Sequence, residues 1–192
     1  MLQNFLRHIN IQPCNVHIPN GNAENLDVEC ANYEQQIKAA GGIDYLLEVL
    51  GLMACSSLSS RTHIQSLTVE TIRANARFFD GKLEEVPKQA LTVGVGTIMD
   101  AQEVLILVNG ANKAYALHKC IESGISHMWT ASAFQNHPKT TFVVDEDATL
   151  ELKVKTVKYF KEIYASSALE ALTAITTNFS FVNTYIRRVN GQ

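Results

Sequence analysis

The chain reads as an α/β protein on a Rossmann-like open parallel sheet with helices on both faces, and three observations predict this. Two short β-branched runs, Leu91 to Val95 and Val104 to Val108, lack polar alternation, as strands covered on both faces tend to. Each is followed at once by glycine and a polar helix start, which is the order of a βα unit. The 192 residues are 46% hydrophobic and 18% charged, a balance that supports one globular domain with a sizeable core. Ligands of such sheets bind beyond the carboxyl ends of the strands.

The elements follow in order. Leu2 to His8 has the pattern of the end of an amphipathic helix. Asn10 to Asn22 is a loop, with Pro13, Pro19 and the Asn20-Gly21 turn signal around a short Asn15 to Ile18 run. Glu24 to Ala40 places Leu26, Cys30, Tyr33 and Ile37 on one helical face, and Gly41-Gly42 stops that helix. In Ile43 to Leu52, Tyr45, Leu46, Val49 and Leu50 suit a buried strand or a short helix equally well. A polar loop from Cys55 leads to a helix through Ala74 to Arg77 that ends in Phe78-Phe79, and Asp80-Gly81 marks a turn.

After the two central runs, Ala111 to Glu122 is a helix burying Ala114, Leu117 and Ile121, and Thr140 to Val144 is a further strand. Asp145, Glu146 and Asp147 then precede a helix with Leu150, Val154 and Val157 on one face. Acids at a helix start suit the macrodipole, so the trio reads as capping rather than catalysis. Residues 1–165 make the domain, and 166–192 form an extra helix or a loose tail with no assignable function. There is no internal repeat or interdomain linker.

A formal charge of -3 and a pI near 6.1 leave no footprint for nucleic acid or an anionic membrane. Cys14, Cys30, Cys55 and Cys120 form no CxxC pair and lie at no metal-ligand spacing from a histidine, so neither a metal site nor a disulfide framework is signalled. The amino terminus has no apolar signal core and no window approaches a membrane span, which points to a cytoplasmic protein.

The segments LTVGVGTIMDAQEVLILV, ANKAYAL, HMWT at His127 to Thr130 and VVDEDATLELKVKTVKYF up to Phe160 resemble the glucosamine-6-phosphate deaminase (isomerase) family. The likeness runs from about Asn4 to Phe160 and is interrupted near Asp44 to Ala54. It implies an enzyme of amino-sugar metabolism and N-acetylglucosamine catabolism that couples aldose-ketose isomerisation to deamination, turning glucosamine 6-phosphate into fructose 6-phosphate and ammonia. The phosphorylated amino sugar is the implied partner, no cofactor or metal is implied, and the family's habit is a homo-oligomer, commonly a hexamer.

Arg77 and Lys113 match the basic residues that hold the substrate phosphate in this family. A guanidinium offers phosphate a planar fork of donors and an ammonium a point charge. A regulatory site in many bacterial relatives maps onto Ser56, His63, Gln65, Ser66 and Tyr159, but His63 and Gln65 stand where the pattern has arginine and lysine, so the site reads as degenerate.

The family's aspartate base and its loop of aspartate, histidine and glutamate find no counterpart here, so no catalytic residue is assigned. Relative to the family the sheet is incomplete at its amino-terminal side, which predicts exposed apolar faces and marginal stability or aggregation. The alternative to the enzyme is a catalytically impaired phosphosugar-binding or hetero-oligomerising fragment. Gly94 and Gly96 suit close packing at least as well as a phosphate cradle, and Thr97 suits an N-cap. The six histidines, His8, His17, His63, His118, His127 and His137, form no close pair and read as structural.

Overall fold

A computed structural model describes residues 6–50, 57–170 and 180–182. Its helices are α1 (Leu26–Ala39), α2 (Val69–Asn75), α3 (Val95–Met99), α4 (Ala114–Ile121) and α5 (Val154–Glu170), and its strands are β1 (Tyr45–Val49), β2 (His63–Ser66), β3 (Gln89–Thr92), β4 (Glu103–Val108), β5 (Thr140–Val144) and β6 (Ser180–Val182). Short 3-10 turns occupy Leu6–His8, Pro13–Asn15, Ala76–Phe78, Ala111–Lys113 and Asp147–Thr149, among others. Contacts divide the chain into two units, residues 1–36 with 62–92, and residues 37–61 with 93–192.

The second unit carries the parallel sheet, with strand order β1-β4-β5-β6 and every neighbouring pair parallel. Burial alternates along β4 and β5, so Val104, Ile106, Val108, Thr140, Phe142 and Val144 all lie on one closed face. Against that face pack Ile98 of α3, Ala116, Leu117 and Cys120 of α4, and Phe134, Ala148 and Leu152 from the connecting segments. This core follows from β-branched residues on pleated strands meeting small and branched residues on helical faces.

β1 settles the ambiguous Ile43 to Leu52 segment as a strand. Leu46 pairs in register with Val104 and packs on the core, and Leu50 beyond the strand is 6% exposed. Tyr45 and Val49, expected to be buried, are open instead, and with Leu47 they present an apolar row on one face. β1 pairs only with β4 among the described residues. Leu52 lies outside the described residues.

The first central run departs from expectation. Gln89–Thr92 joins β2 as an antiparallel two-stranded sheet in the first unit, with His63 opposite Thr92, and Val95 is already the first residue of α3. Glycines at positions 94 and 96 end the extended backbone there, so the LTVGV run divides between a hairpin arm and a helix. The second run and Thr140 to Val144 form parallel strands with the predicted bounds or one residue beyond.

α1 confirms its predicted face: Leu26, Tyr33 and Ile37 are half-buried and Cys30 is buried. Asn25 Oδ1 caps its start by accepting Val28 N–H at 3.1 Å. Gly41 and Gly42 stop it at φ 94° and 101°, the left-handed region where glycine carries no Cβ penalty. The Asp80-Gly81 turn likewise has both residues at positive φ.

Two helical expectations change. Leu150 and Val154 are 66% and 71% exposed, while Val157, expected on the same face, packs against the core with Leu152 and Phe160. The 3-10 turn at Asp147–Thr149 and the non-helical residues 150–153 put Leu150 outside the register of α5, and Val154 is only the first residue of that helix. Within the segment beyond residue 165, α5 continues to Glu170 and β6 pairs with β5; residues 171–179 and 183–192 lie outside the described residues.

Candidate functional site

The carboxyl ends of β4 and β5 build a polar corner of the second unit. β4 ends at Val108, the chain turns at Gly110 with φ 86°, and one 3-10 turn, Ala111–Lys113, leads into α4. Lys113 N–H donates to Gly110 O at 3.0 Å and closes that turn. β5 ends at Val144, and the next residue, Asp145, accepts from Gly110 N–H through both carboxylate oxygens, at 3.0 and 2.9 Å. The same carboxylate accepts Ala148 N–H at 2.8 Å. Asp145 therefore caps the turn after β5, as expected, and also braces the turn after β4.

Lys113 emerges from this turn half-buried, at the end of the sheet where ligands of parallel folds bind. Burial holds its ammonium below the ordinary lysine value. Among the described residues no carboxylate lies within ion-pair distance of it. A partly desolvated cation without a counter-charge favours an incoming anion, because the ligand restores the lost solvation.

Arg77 belongs to the first unit. It sits on the 3-10 turn Ala76–Phe78 that extends α2, whose start is capped by Thr68 accepting from Thr71 N–H at 3.2 Å. Ala76 is the buried anchor of the turn, and Arg77 is exposed with its guanidinium 4.7 Å from the Phe78 ring centroid.

The glycine pair has a structural assignment. A Cβ at Gly94 would stand 2.2 Å from Ser60 O, and one at Gly96 2.9 Å from the Ser59 backbone. Val95 N–H donates to Ser60 Oγ at 3.0 Å and Gly96 N–H to Ser60 O at 2.9 Å, so these amides already have partners. Thr97 is not an N-cap; it is 2% exposed inside α3, whose cap position is Gly94.

Of the residues assigned to the degenerate regulatory site, His63, Gln65 and Ser66 lie on β2, with His63 Nε2 3.2 Å from Gln65 Oε1. Tyr159 is 59% exposed on α5 in the second unit. Ser56 lies outside the described residues. Among the described residues no group of three or more His, Cys, Asp or Glu could hold a metal ion, and no helix is long and apolar enough to cross a membrane.

Two polar nodes had no sequence signal. His137 is buried, with Nε2 2.8 Å from Ala101 O and Nδ1 accepting Lys139 N–H at 3.1 Å. Glu122 gathers His118, Lys153 and Thr156. In each, one partner is distant in the chain, Ala101 for His137 and Lys153 for Glu122, and no local motif records that pairing.

No family model matches the chain. Among curated proteins it is 60% identical over 168 residues to glucosamine-6-phosphate deaminase 1 of Homo sapiens, covering 84% of this chain and 58% of the human protein. It is 56% identical over 170 residues to glucosamine-6-phosphate deaminase of Drosophila pseudoobscura pseudoobscura, covering 85% and 62% respectively. A solved monomeric glucosamine-6-phosphate deaminase superposes with a TM-score of 0.73 at 37% identity, over 78% of this chain and 64% of that one. A structure described as the devB protein, at TM-score 0.56 and 16% identity, shares the fold alone. The chain spans about three fifths of the length of the curated relatives it matches. By its sequence it belongs, over that part, to the glucosamine-6-phosphate deaminase family.

Proposed function

We propose that the chain serves the deamination of glucosamine 6-phosphate, an aldose-ketose isomerisation that releases ammonia and leaves fructose 6-phosphate. The observation that carries this reading is the 60% identity to glucosamine-6-phosphate deaminase 1 over 84% of the chain. Lys113, half-buried and without a counter-charge among the described residues, supports it as an anchor for the sugar phosphate. Arg77, exposed and with its guanidinium 4.7 Å from the Phe78 ring centroid, is assigned the same ligand group. The chemistry between C1 and C2 also requires a base within hydrogen-bond reach of its proton. We assign no residue of this chain to that step.

The same reading places the protein in N-acetylglucosamine catabolism, in the cytoplasm, and as a self-associating molecule of hexameric type. Residues 1–165 form the deaminase portion. The residues of the regulatory site, Ser56, His63, Gln65, Ser66 and Tyr159, are assigned no working effector site.

Two measurements test the proposal. The first is ammonia release from glucosamine 6-phosphate by the purified chain, where turnover on the order of 1 to 1000 per second marks an ordinary enzyme. Binding without ammonia release would instead assign the chain to the non-catalytic phosphosugar-binding class. The second is calorimetric titration with fructose 6-phosphate. A charge-assisted hydrogen bond contributes roughly 1.5 to 3 kcal/mol, so Arg77→Ala and Lys113→Ala should each weaken binding about tenfold or more. Equal affinities in all three chains would remove both residues from the site. Light scattering of the purified chain tests the assembly.

A further inference from the structure

A capping aspartate needs only the backbone ahead of it. Asp145 does more, because its carboxylate also reaches a residue on the loop that follows the neighbouring strand. Its two oxygens take Gly110 N–H at 3.0 and 2.9 Å and Oδ1 takes Ala148 N–H at 2.8 Å. Asp145 N–H in turn donates to Val108 O at 3.3 Å, so the ladder between β4 and β5 runs on into this brace.

What the brace holds is the entry to a turn. Gly110 has φ 86°, a Cβ there would meet Asn112 Oδ1 at 3.1 Å, and Gly110 O accepts Lys113 N–H at 3.0 Å. The segment from Gly110 to Lys113 is thus a single hydrogen-bonded turn, and its first amide is fixed by Asp145. Glycine alone would leave that backbone free to sample many conformations. An ionised acceptor on its amide selects one of them.

We propose that Asp145 is a positioning residue for Lys113: by holding the Gly110 amide it sets the turn that presents the Lys113 ammonium to the ligand's phosphate. This rests on the phosphate reading of Lys113 given above.

The test uses the full chain with Asp145→Asn, Lys113→Ala and the double variant. Asparagine keeps the size of the side chain and one acceptor oxygen and gives up the other. Two readouts are taken, the acylation rate of each lysine by an amine-selective ester, followed by mass spectrometry, and the dissociation constant for glucosamine 6-phosphate. Asp145→Asn should raise acylation of Lys113 severalfold while Lys139 and Lys155 keep their rates; a general loss of fold would raise all three together. It should also weaken binding roughly tenfold when Lys113 is present, and leave binding nearly unchanged in the Lys113→Ala background.

Lys113 acylation that is unaffected by Asp145→Asn, or rises only in step with the other lysines, overturns the proposal, as does an equal loss of binding with and without Lys113. Lys113→Ala alone decides the phosphate reading. If that variant binds as the parent chain does, the phosphate role falls, while the acylation rates still decide whether Asp145 sets the ammonium.

Discussion

His118 and Glu122 face each other across one turn at the end of α4, with Nδ1 of the ring 2.9 Å from Oε2 of the carboxylate. The Glu122 side chain is only 5% exposed, and its other oxygen takes Lys153 N–H at 2.9 Å. Burial alone would raise this carboxyl's pKa. Hydrogen bonds from Thr156, Lys153 and His118, with the Lys153 charge, outweigh it and hold the group below its ordinary value of 4.5.

A carboxyl with a depressed folded pKa stabilises the fold fully above its unfolded pKa and loses that contribution as pH falls through the folded value. Glu122→Gln should therefore lower stability at pH 7 by about 1 to 3 kcal/mol. The gap between parent and variant should close as pH drops below 4.5. Urea melts at several pH values check this, and a gap that stays constant would remove Glu122 from the acid response.

His137 bridges the end of α3 and the start of β5. Its Nδ1 accepts Lys139 N–H, so Nε2 must carry the proton that goes to Ala101 O, and the buried ring is held in one neutral tautomer. His137→Ala leaves both backbone groups unpaired and opens a cavity, for a loss of about 2 to 4 kcal/mol. Chemical denaturation reads this directly; a loss under about 1 kcal/mol, the scale of an ordinary surface change, would show the bridge to be dispensable.

Gly94→Ala should fail for steric reasons alone, since the residue's own φ of -79° suits any amino acid. The new methyl would meet Ser60 O at 2.2 Å, a backbone atom that cannot swing aside. The expected loss is about 3 kcal/mol or more, with a fall in soluble yield. Gly124→Ala, with nothing within 4 Å of the added carbon, is the matched control and should be near neutral. Similar melting temperatures for the two variants would contradict the close packing.

Cysteine reactivity should sort by depth. Cys14 is exposed, whereas Cys120 is buried and its thiol is pushed up to about 12. Burial, with nearby Asp27 and Glu29, also raises Cys30. At pH 8 iodoacetamide should alkylate Cys14 rapidly and reach Cys30 and Cys120 only on addition of denaturant, because the thiolate is the nucleophile. Peptide mass spectrometry follows each site; fast labelling of Cys120 in the native chain would show that the α4 face opens.

The parts of this fold that were legible beforehand were those where a single segment carries its own period. β4, β5 and the face of α1 could be placed from apolar spacing and from glycine stops. Leu91 to Val95 could not, because a short apolar run looks the same in a parallel strand and in a hairpin arm, and only the backbone of Ser59 to Arg61 fixes where it ends. Leu150 and Val154 fit a helical face by spacing, yet α5 begins only at Val154, so Leu150 is not on that helix and both side chains are exposed. At the candidate site, Lys113 was singled out through the family resemblance. Asp145 was read for its local role because its second partner lies on another loop.

The strand order β1-β4-β5-β6 also fixes how the second unit must assemble. Tyr45 finds its partner at Glu103, Val104 at Thr140 and Thr141 at Ser180, so no pairing in this sheet closes within a short stretch of chain. Each ladder must overcome a long loop's closure entropy before its hydrogen bonds and apolar faces return anything. The second unit should therefore fold in milliseconds to seconds rather than microseconds. During that interval the apolar residues of β1 and β4 stand open together, and association between chains competes with folding most strongly there.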